Sequence, residues 1–142
     1  MLEGVKYLKF NGNENLINNF YDILFGWREK KVIDVLKGYC ELKGNAVNEE
    51  MRCFFANEFP QYDEEYFGEE GVAFYFDYPA VLDDCVIILT NEEFFEIVQE
   101  RYECYIKNNQ DCKNEIQNML ECLRKHLKIN IQTSYMNFKY TK

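Results

Sequence analysis

The sequence predicts an α+β fold in which a small, mainly antiparallel sheet packs against an N-terminal helical hairpin and two C-terminal helices. Three observations lead to this prediction: helical spacing of apolar residues at both ends of the chain, alternation in the middle, and turn or capping residues at the junctions. With 142 residues, 47% of them hydrophobic, the chain is long and apolar enough to build its own core. No repeat or Pro/Gly/Ser-rich linker divides it, so we expect a single domain over residues 1–142.

The N-terminal part predicts a short strand followed by two helices. Residues 5–10 alternate enough for a strand. Asn13 is a suitable N-cap for a helix running to about Phe25, and a second helix is expected from Arg28 to Glu41. The apolar side chains expected to face the core are Leu16, Phe20, Ile23 and Leu24 in the first helix and Val32, Val35, Leu36 and Tyr39 in the second.

The middle of the chain predicts strands separated by loops. Residues 51–55 are a short β-prone run, and residues 57–70 form an acidic, aromatic loop. A strand opens at Gly71 and ends at Pro79, since proline cannot donate to the ladder. Its alternation places one set of residues toward the core and one away: Val72, Phe74, Phe76 and Tyr78 inward, Ala73, Tyr75 and Asp77 outward. Residues 85–89 are apolar throughout, which predicts a central strand buried on both faces.

A capping box marks the start of the third helix. Thr90 and Glu93 have the spacing at which each side chain accepts a hydrogen bond from the other residue's backbone. The helix is expected to reach about Lys107, with four residues inward: Phe94, Ile97, Val98 and Tyr105. Arg101 falls on the same arc and therefore needs a carboxylate or backbone acceptors. We expect its role to be structural.

A last helix is expected from about residue 111 to residue 127. Its apolar stripe follows helical spacing and consists of Ile116, Met119, Leu120, Leu123 and Leu127. Residues 129–142 are expected to form an edge strand or a loose tail.

Acidic residues are concentrated in one part of the chain. Residues 49–103 contain 16 of the 25 acidic residues and only two basic ones, which gives this segment a net charge of −14. Such concentration favours a surface that meets a cationic partner, although solubility alone explains an acidic total equally well. It disfavours nucleic-acid binding, which needs clustered Lys and Arg.

The sequence predicts a cytoplasmic protein. The N-terminus lacks the pattern of a signal peptide, and no stretch approaches 18 apolar residues, so neither secretion nor a membrane span is expected. In that compartment the six cysteines should be free thiols. With no CxxC pair and a single histidine, a zinc site has little support.

No residue set predicts catalysis or a cofactor. A serine triad would have to use Ser134 and His126, both late in the chain. Cys122 and His126 are four residues apart and could meet on one helix face, but chance spacing explains the pair better. The segment 68–71 carries acids between its glycines, which would repel a phosphate, and the loop acids lack the spacing of a calcium loop. We therefore expect no enzyme activity, no cofactor and no metal.

The acidic, aromatic loop is the candidate binding site. Its aromatic side chains could anchor an interface, and its carboxylates could accept hydrogen bonds from Arg or Lys. Alternatively, Tyr62, Tyr66 and Phe67 hold the loop to the core while the acids are merely solvated. The residues predicted to contact a partner are Asp63, Glu64, Glu65, Tyr66, Glu69, Glu70 and Asp77.

One stretch of the chain resembles a known family. Residues 66–76 (YFGEEGVAFYF), the strand 86–89 and the capped helix from Thr90 to Arg101-Tyr102 resemble immunity proteins of bacterial contact-dependent growth inhibition (CDI) systems, specifically ribonuclease toxin immunity proteins. The resemblance implies a cytosolic, non-enzymatic inhibitor that binds the C-terminal nuclease domain of a cognate toxin and blocks its active site. The alternative is an acidic interaction module, or polyanion mimic, that acts on a different basic protein.

Overall fold

The computed structural model describes residues 2–129 of the chain. Within them the helices and strands follow in this order: β1 (Lys6–Lys9), α1 (Glu14–Leu24), α2 (Glu29–Cys40), β2 (Met51–Phe55), β3 (Val72–Phe76), β4 (Cys85–Leu89), α3 (Asn91–Lys107) and α4 (Lys113–His126). Short 3-10 helices at Ala56–Glu58 and Gln110–Cys112 follow β2 and precede α4. The predicted edge strand or tail at residues 129–142 lies, apart from Ile129, outside the described residues.

The four strands form one sheet in the order β1-β4-β3-β2. The β2–β3 and β3–β4 pairs are antiparallel, whereas β1 lies parallel to β4. The α+β class and the mainly antiparallel sheet are therefore confirmed. The central position of β4 is confirmed as well. Val86 and Ile87 point to opposite faces of the sheet, and both are buried.

The helices cover one face of the sheet, which we call the helical face. At its centre Phe74 of β3 makes edge-on contacts with Phe20 of α1 at 5.0 Å and lies 6.2 Å from the ring of Phe94 on α3. All three side chains are fully buried. Many of the chain's largest buried aromatic side chains therefore lie in the layer between sheet and helices, where large rings contribute strongly to burial.

The buried faces of α1 and α3 differ from the predicted ones. Helix α1 buries Ile17 and Tyr21 beside the expected Phe20 and Leu24, whereas Ile23 is exposed. This helix has two overlapping apolar arcs, one with Ile17 and one with Ile23. The arc with Ile17 is the buried one, and on that side Tyr21 makes an edge contact with Phe74. In α3 the buried residues are Phe94, Phe95, Val98, Gln99, Tyr102 and Ile106, so Ile97 and Tyr105 are only half-buried.

The strand β3 is shorter than predicted. It ends at Phe76, and Tyr78 is 67% exposed instead of pointing inward. The chain turns at this point because the Ala80 N–H donates to the Asp77 carbonyl at 2.9 Å, which removes Tyr78 from the strand's alternation.

Arg101 has the partners that its position on α3 requires. Its Nη1 donates to Asp22 Oδ1 at 2.8 Å and its Nη2 to the Asn18 carbonyl at 3.2 Å. Arg101 therefore links α3 to α1, as expected of a structural residue.

The capping box of α3 is confirmed. The Glu93 N–H donates to Thr90 Oγ1 at 3.0 Å, and the Thr90 N–H donates to Glu93 Oε1 at 2.9 Å. Replacing Thr90→Ala leaves the Glu93 N–H without this acceptor, so we expect a loss of about 1 kcal/mol in the free energy of unfolding. Urea denaturation monitored by circular dichroism measures it, and Thr90→Ser, which keeps the hydroxyl, should retain most of the stability.

Candidate protein-binding surface

The sheet face opposite the helices, which we call the outer face, is covered by the acidic, aromatic loop and the N-terminus. Its sheet residues in the central strands are Ala73, Tyr75, Val86 and Ile88, with Phe54 and Arg52 on β2 and Tyr7 on β1. Phe59 packs against Phe54 at 5.1 Å and against Phe67 at 6.3 Å. Phe67 also contacts the buried cluster on this face. Two phenylalanines therefore hold the loop on the sheet.

Asp63 organises the turns of the loop between these anchors. Its backbone N–H donates to the Pro60 carbonyl at 2.9 Å, and its own carbonyl accepts from the Tyr66 N–H at 3.0 Å. Its side-chain Oδ1 accepts from the Glu65 N–H at 2.8 Å. An Asp side chain commonly stabilises such a turn in this way. The Glu64 side chain, between these bonds, is left in solvent.

Arg52 is paired with Asp77 and lies near Glu65, two of the predicted contact residues. Its Nη2 donates to Asp77 Oδ2 at 3.0 Å, and its guanidinium lies 5.6 Å from the centre of the Tyr75 ring. Burial and the neighbouring Asp63 carboxylate raise the pKa of Glu65, while Arg52 opposes that shift. Arg52 Nε is buried and finds no hydrogen-bond acceptor among residues 2–129. Asp77 thus forms an ion pair with this partly buried cation, whose charge also acts on Glu65.

Glu69 and Glu70 lie at the other end of β3. Both are exposed and line a cleft of about 240 Å³, whose wall also includes Asn91 and His126. They precede β3, whereas Asp77 follows it. At a rise of about 3.3 Å per residue, roughly 20 Å separates Glu70 from Asp77. The structure therefore divides the predicted residues into a group around Arg52 and a pair beside the cleft, with Glu64 exposed and Tyr66 half-buried.

Glu58, by contrast, stabilises the fold. Its Oε2 accepts hydrogen bonds from the Gly44 N–H at 3.0 Å and the Phe55 N–H at 2.8 Å. Glu58→Ala leaves both donors unpaired at a partly buried site, so we expect a loss of about 2 kcal/mol in the free energy of unfolding. Thermal and urea unfolding measure this loss; an unchanged midpoint would contradict the assigned role.

Three exposed side chains were missed by the predicted set. Tyr62 is 92% exposed, so it does not hold the loop to the core as the alternative interpretation required. Tyr78 and Leu82 are 67% and 86% exposed in the loop between β3 and β4. The sequence signal for Tyr78 was the adjacent Pro79, which ends the strand. We find no comparable signal for Leu82.

The Cys122–His126 pair is held in a way that does not suit a catalytic dyad. Cys122 Sγ lies 3.8 Å from His126 Nδ1, but Nδ1 also contacts the Cys40 carbonyl. Because a carbonyl can only accept, Nδ1 carries a proton, and the remaining acceptor nitrogen, Nε2, lies 3.9 Å from Cys122 Sγ, which is longer than the hydrogen bond of a catalytic dyad. Ser134 lies outside the described residues.

In the described part of the chain, no three His, Cys, Asp or Glu side chains converge on a point where a metal ion could bind. None of the helices within residues 2–129 is both long and apolar enough to cross a membrane.

Comparison with known proteins gives one family. A family model described as CDI immunity protein matches residues 13–120, which include every helix and strand from α1 to α3 and the outer-face loop. No curated protein and no solved structure matches the chain.

Proposed function

This chain belongs to the CDI immunity protein family, and we propose that it neutralises a cognate toxin nuclease, specifically a ribonuclease, by covering the active site of the toxin's C-terminal domain. The main support for the nuclease assignment is that the acidic loop is held on the outer face. Family membership supports a toxin as the partner, and the charge of the loop supports a basic one.

The chemistry of nuclease sites fits this surface. A protein that binds RNA neutralises phosphates with Lys and Arg, so its active-site cleft is cationic. Glu64, Glu69 and Glu70 extend exposed carboxylates that can take the place of phosphates. Because Phe59 and Phe67 hold the loop in position, little ordering free energy opposes binding.

The distribution of charge also favours fast association. The net charge of −14 over residues 49–103 creates a field that attracts a basic domain, and the outer-face loop contributes Asp63, Glu64 and Glu65 to it. Fast association suits a cytoplasmic inhibitor that must capture a toxin before it cleaves RNA. In this mechanism the chain contacts protein alone, with no direct contact to nucleic acid or membrane, and performs no catalysis.

The second candidate is an acidic interaction module, or polyanion mimic, acting on a different basic protein. The same charge concentration favours it, and both candidates give salt-sensitive binding. The identity of the partner separates them.

Capture of the toxin domain tests the proposal. The purified protein serves as bait for the C-terminal domain of the protein encoded immediately upstream, at low and at high salt. We expect 1:1 capture that protects RNA from that domain and weakens as salt rises. Failure to capture it at either salt would contradict toxin neutralisation, whereas capture without RNA protection would contradict the ribonuclease assignment.

A further inference from the structure

The loop between β3 and β4, residues 77–84, presents apolar side chains that the fold does not use. Leu82 is 86% exposed and Tyr78 67% exposed, while Val81 between them packs against the core of the helical face. Isolated exposed apolar residues are common on protein surfaces. Here, however, two large ones project from a single short loop at one end of the sheet.

Polar contacts hold the loop at both of its ends. The Tyr78 N–H donates to Asp84 Oδ1 at 2.8 Å, and the Ala80 N–H donates to the Asp77 carbonyl at 2.9 Å. Asp83 Oδ2 accepts from Lys6 Nζ at 3.2 Å, which fastens the loop to β1. The loop's own polar groups therefore fix the positions from which Tyr78 and Leu82 project, so little conformational entropy remains to be lost when a partner covers them.

The surroundings of the two side chains define the chemistry of the partner. The loop contributes three carboxylates, from Asp77, Asp83 and Asp84. The neighbouring cations Lys6 and Arg52 are each already paired with one of them. Three carboxylates against two cations leave this surface with a net negative charge, which favours a partner that combines an apolar contact with basic groups at its border.

The loop is also continuous with the acidic surface. Asp77, its first residue, is paired with Arg52, whose charge also acts on Glu65 of the outer-face loop. A specific interface that buries about 800 Å² on each partner extends roughly 30 Å, which is enough to include both loops.

We propose that Tyr78 and Leu82 are the specificity anchors of this protein, inserting into an apolar hollow bordered by basic side chains on the toxin domain. This inference rests on the proposed function and adds a step to it: the carboxylates speed encounter with basic domains in general, and the two anchors select the cognate one. Aromatic side chains at the centre of an interface commonly dominate its affinity.

The test compares Tyr78→Ser, Leu82→Ser and the double variant by calorimetric titration with the same upstream-encoded toxin domain. Each single change is expected to weaken binding by about tenfold or more, and the double change more than either. The weakening caused by Leu82→Ser should be the same at low and high salt, since an apolar contact is not screened. Because both side chains are exposed, the melting temperature should stay unchanged.

Ile23→Ser is the matched control. It removes an exposed apolar side chain from α1, on the helical side of the sheet, and should leave the affinity unchanged. Wild-type affinity in the Tyr78→Ser/Leu82→Ser variant would overturn the anchor assignment while leaving the proposed function intact. Absence of binding by the wild-type protein would overturn both.

Discussion

Reversing the charge of four loop carboxylates is expected to weaken toxin binding by at least about 100-fold while the protein still folds. The variant carries four substitutions: Glu64→Lys, Glu65→Lys, Glu69→Lys and Glu70→Lys. It places like charges opposite the basic groups of the partner, which costs far more than removing a favourable contact. Calorimetric titration measures the affinity, and circular dichroism establishes that the fold is retained.

The fold should tolerate this change because the four carboxylates do little for stability. Three of them are exposed. The pKa of Glu65 is raised by burial and by Asp63, which means that its charged form is disfavoured in the folded protein. A raised carboxyl pKa opposes folding at neutral pH and ceases to do so as the pH falls below it, so losing this carboxylate removes an unfavourable contribution.

A second quadruple variant controls for total charge. It reverses four exposed acidic residues on or beside the helices: Asp34→Lys, Glu41→Lys, Glu100→Lys and Glu115→Lys. Some of these acids form exposed ion pairs, which contribute little to stability. The control has the same net charge as the loop variant and should keep most of the affinity. Equal losses in the two variants would show that overall charge, rather than the outer-face loop, governs binding.

Gly71→Ala is expected to lower the free energy of unfolding by about 3 kcal/mol or more. Gly71 joins the outer-face loop to β3 with φ of +105°, and a Cβ there would lie 2.7 Å from the Leu89 carbonyl oxygen. Its N–H donates to Asn91 Oδ1 and its carbonyl accepts from the Ala56 N–H, so the backbone cannot move without breaking these bonds. Urea denaturation measures the loss.

The loss at Gly71 has two causes: the positive φ and the close approach of the added Cβ to Leu89. Gly68→Ala separates them. Gly68 also has a positive φ, of +133°, but no atom lies within 4 Å of the position of its Cβ. The free energy of unfolding of this variant should fall by only about 1 kcal/mol, which is the cost of placing alanine at a positive φ. Similar losses at Gly68 and Gly71 would contradict the close approach to Leu89 as the main cause.

The sequence predicted those parts of the fold whose signals are local. The capping box at Thr90 depends on residues within one helical turn, and the buried strand 85–89 is apolar at every position. The face of α1 could not be chosen in the same way, because arcs containing Ile17 or Ile23 are both apolar. The contact of Tyr21 with Phe74, more than 50 residues along the chain, is a tertiary interaction with no local signature.

The sequence predicted that the candidate surface is acidic, but it did not predict how the acidic side chains are arranged. The clustering of acidic residues in the sequence located the segment. However, not every carboxylate in it is available to bind a partner. Glu58 accepts two backbone hydrogen bonds, and Asp77 is paired with Arg52. Each of these contacts joins parts of the chain that come together only on folding. For the same reason the exposure of Leu82 became visible only in the structure.

Hydrogen exchange of this protein with and without the toxin domain tests most directly whether the outer face is the docking surface. We expect slower amide exchange on binding in residues 59–70 and 77–84, with little change in α1 and α3. Protection confined to α1 and α3, in a complex that still neutralises the toxin, would contradict it.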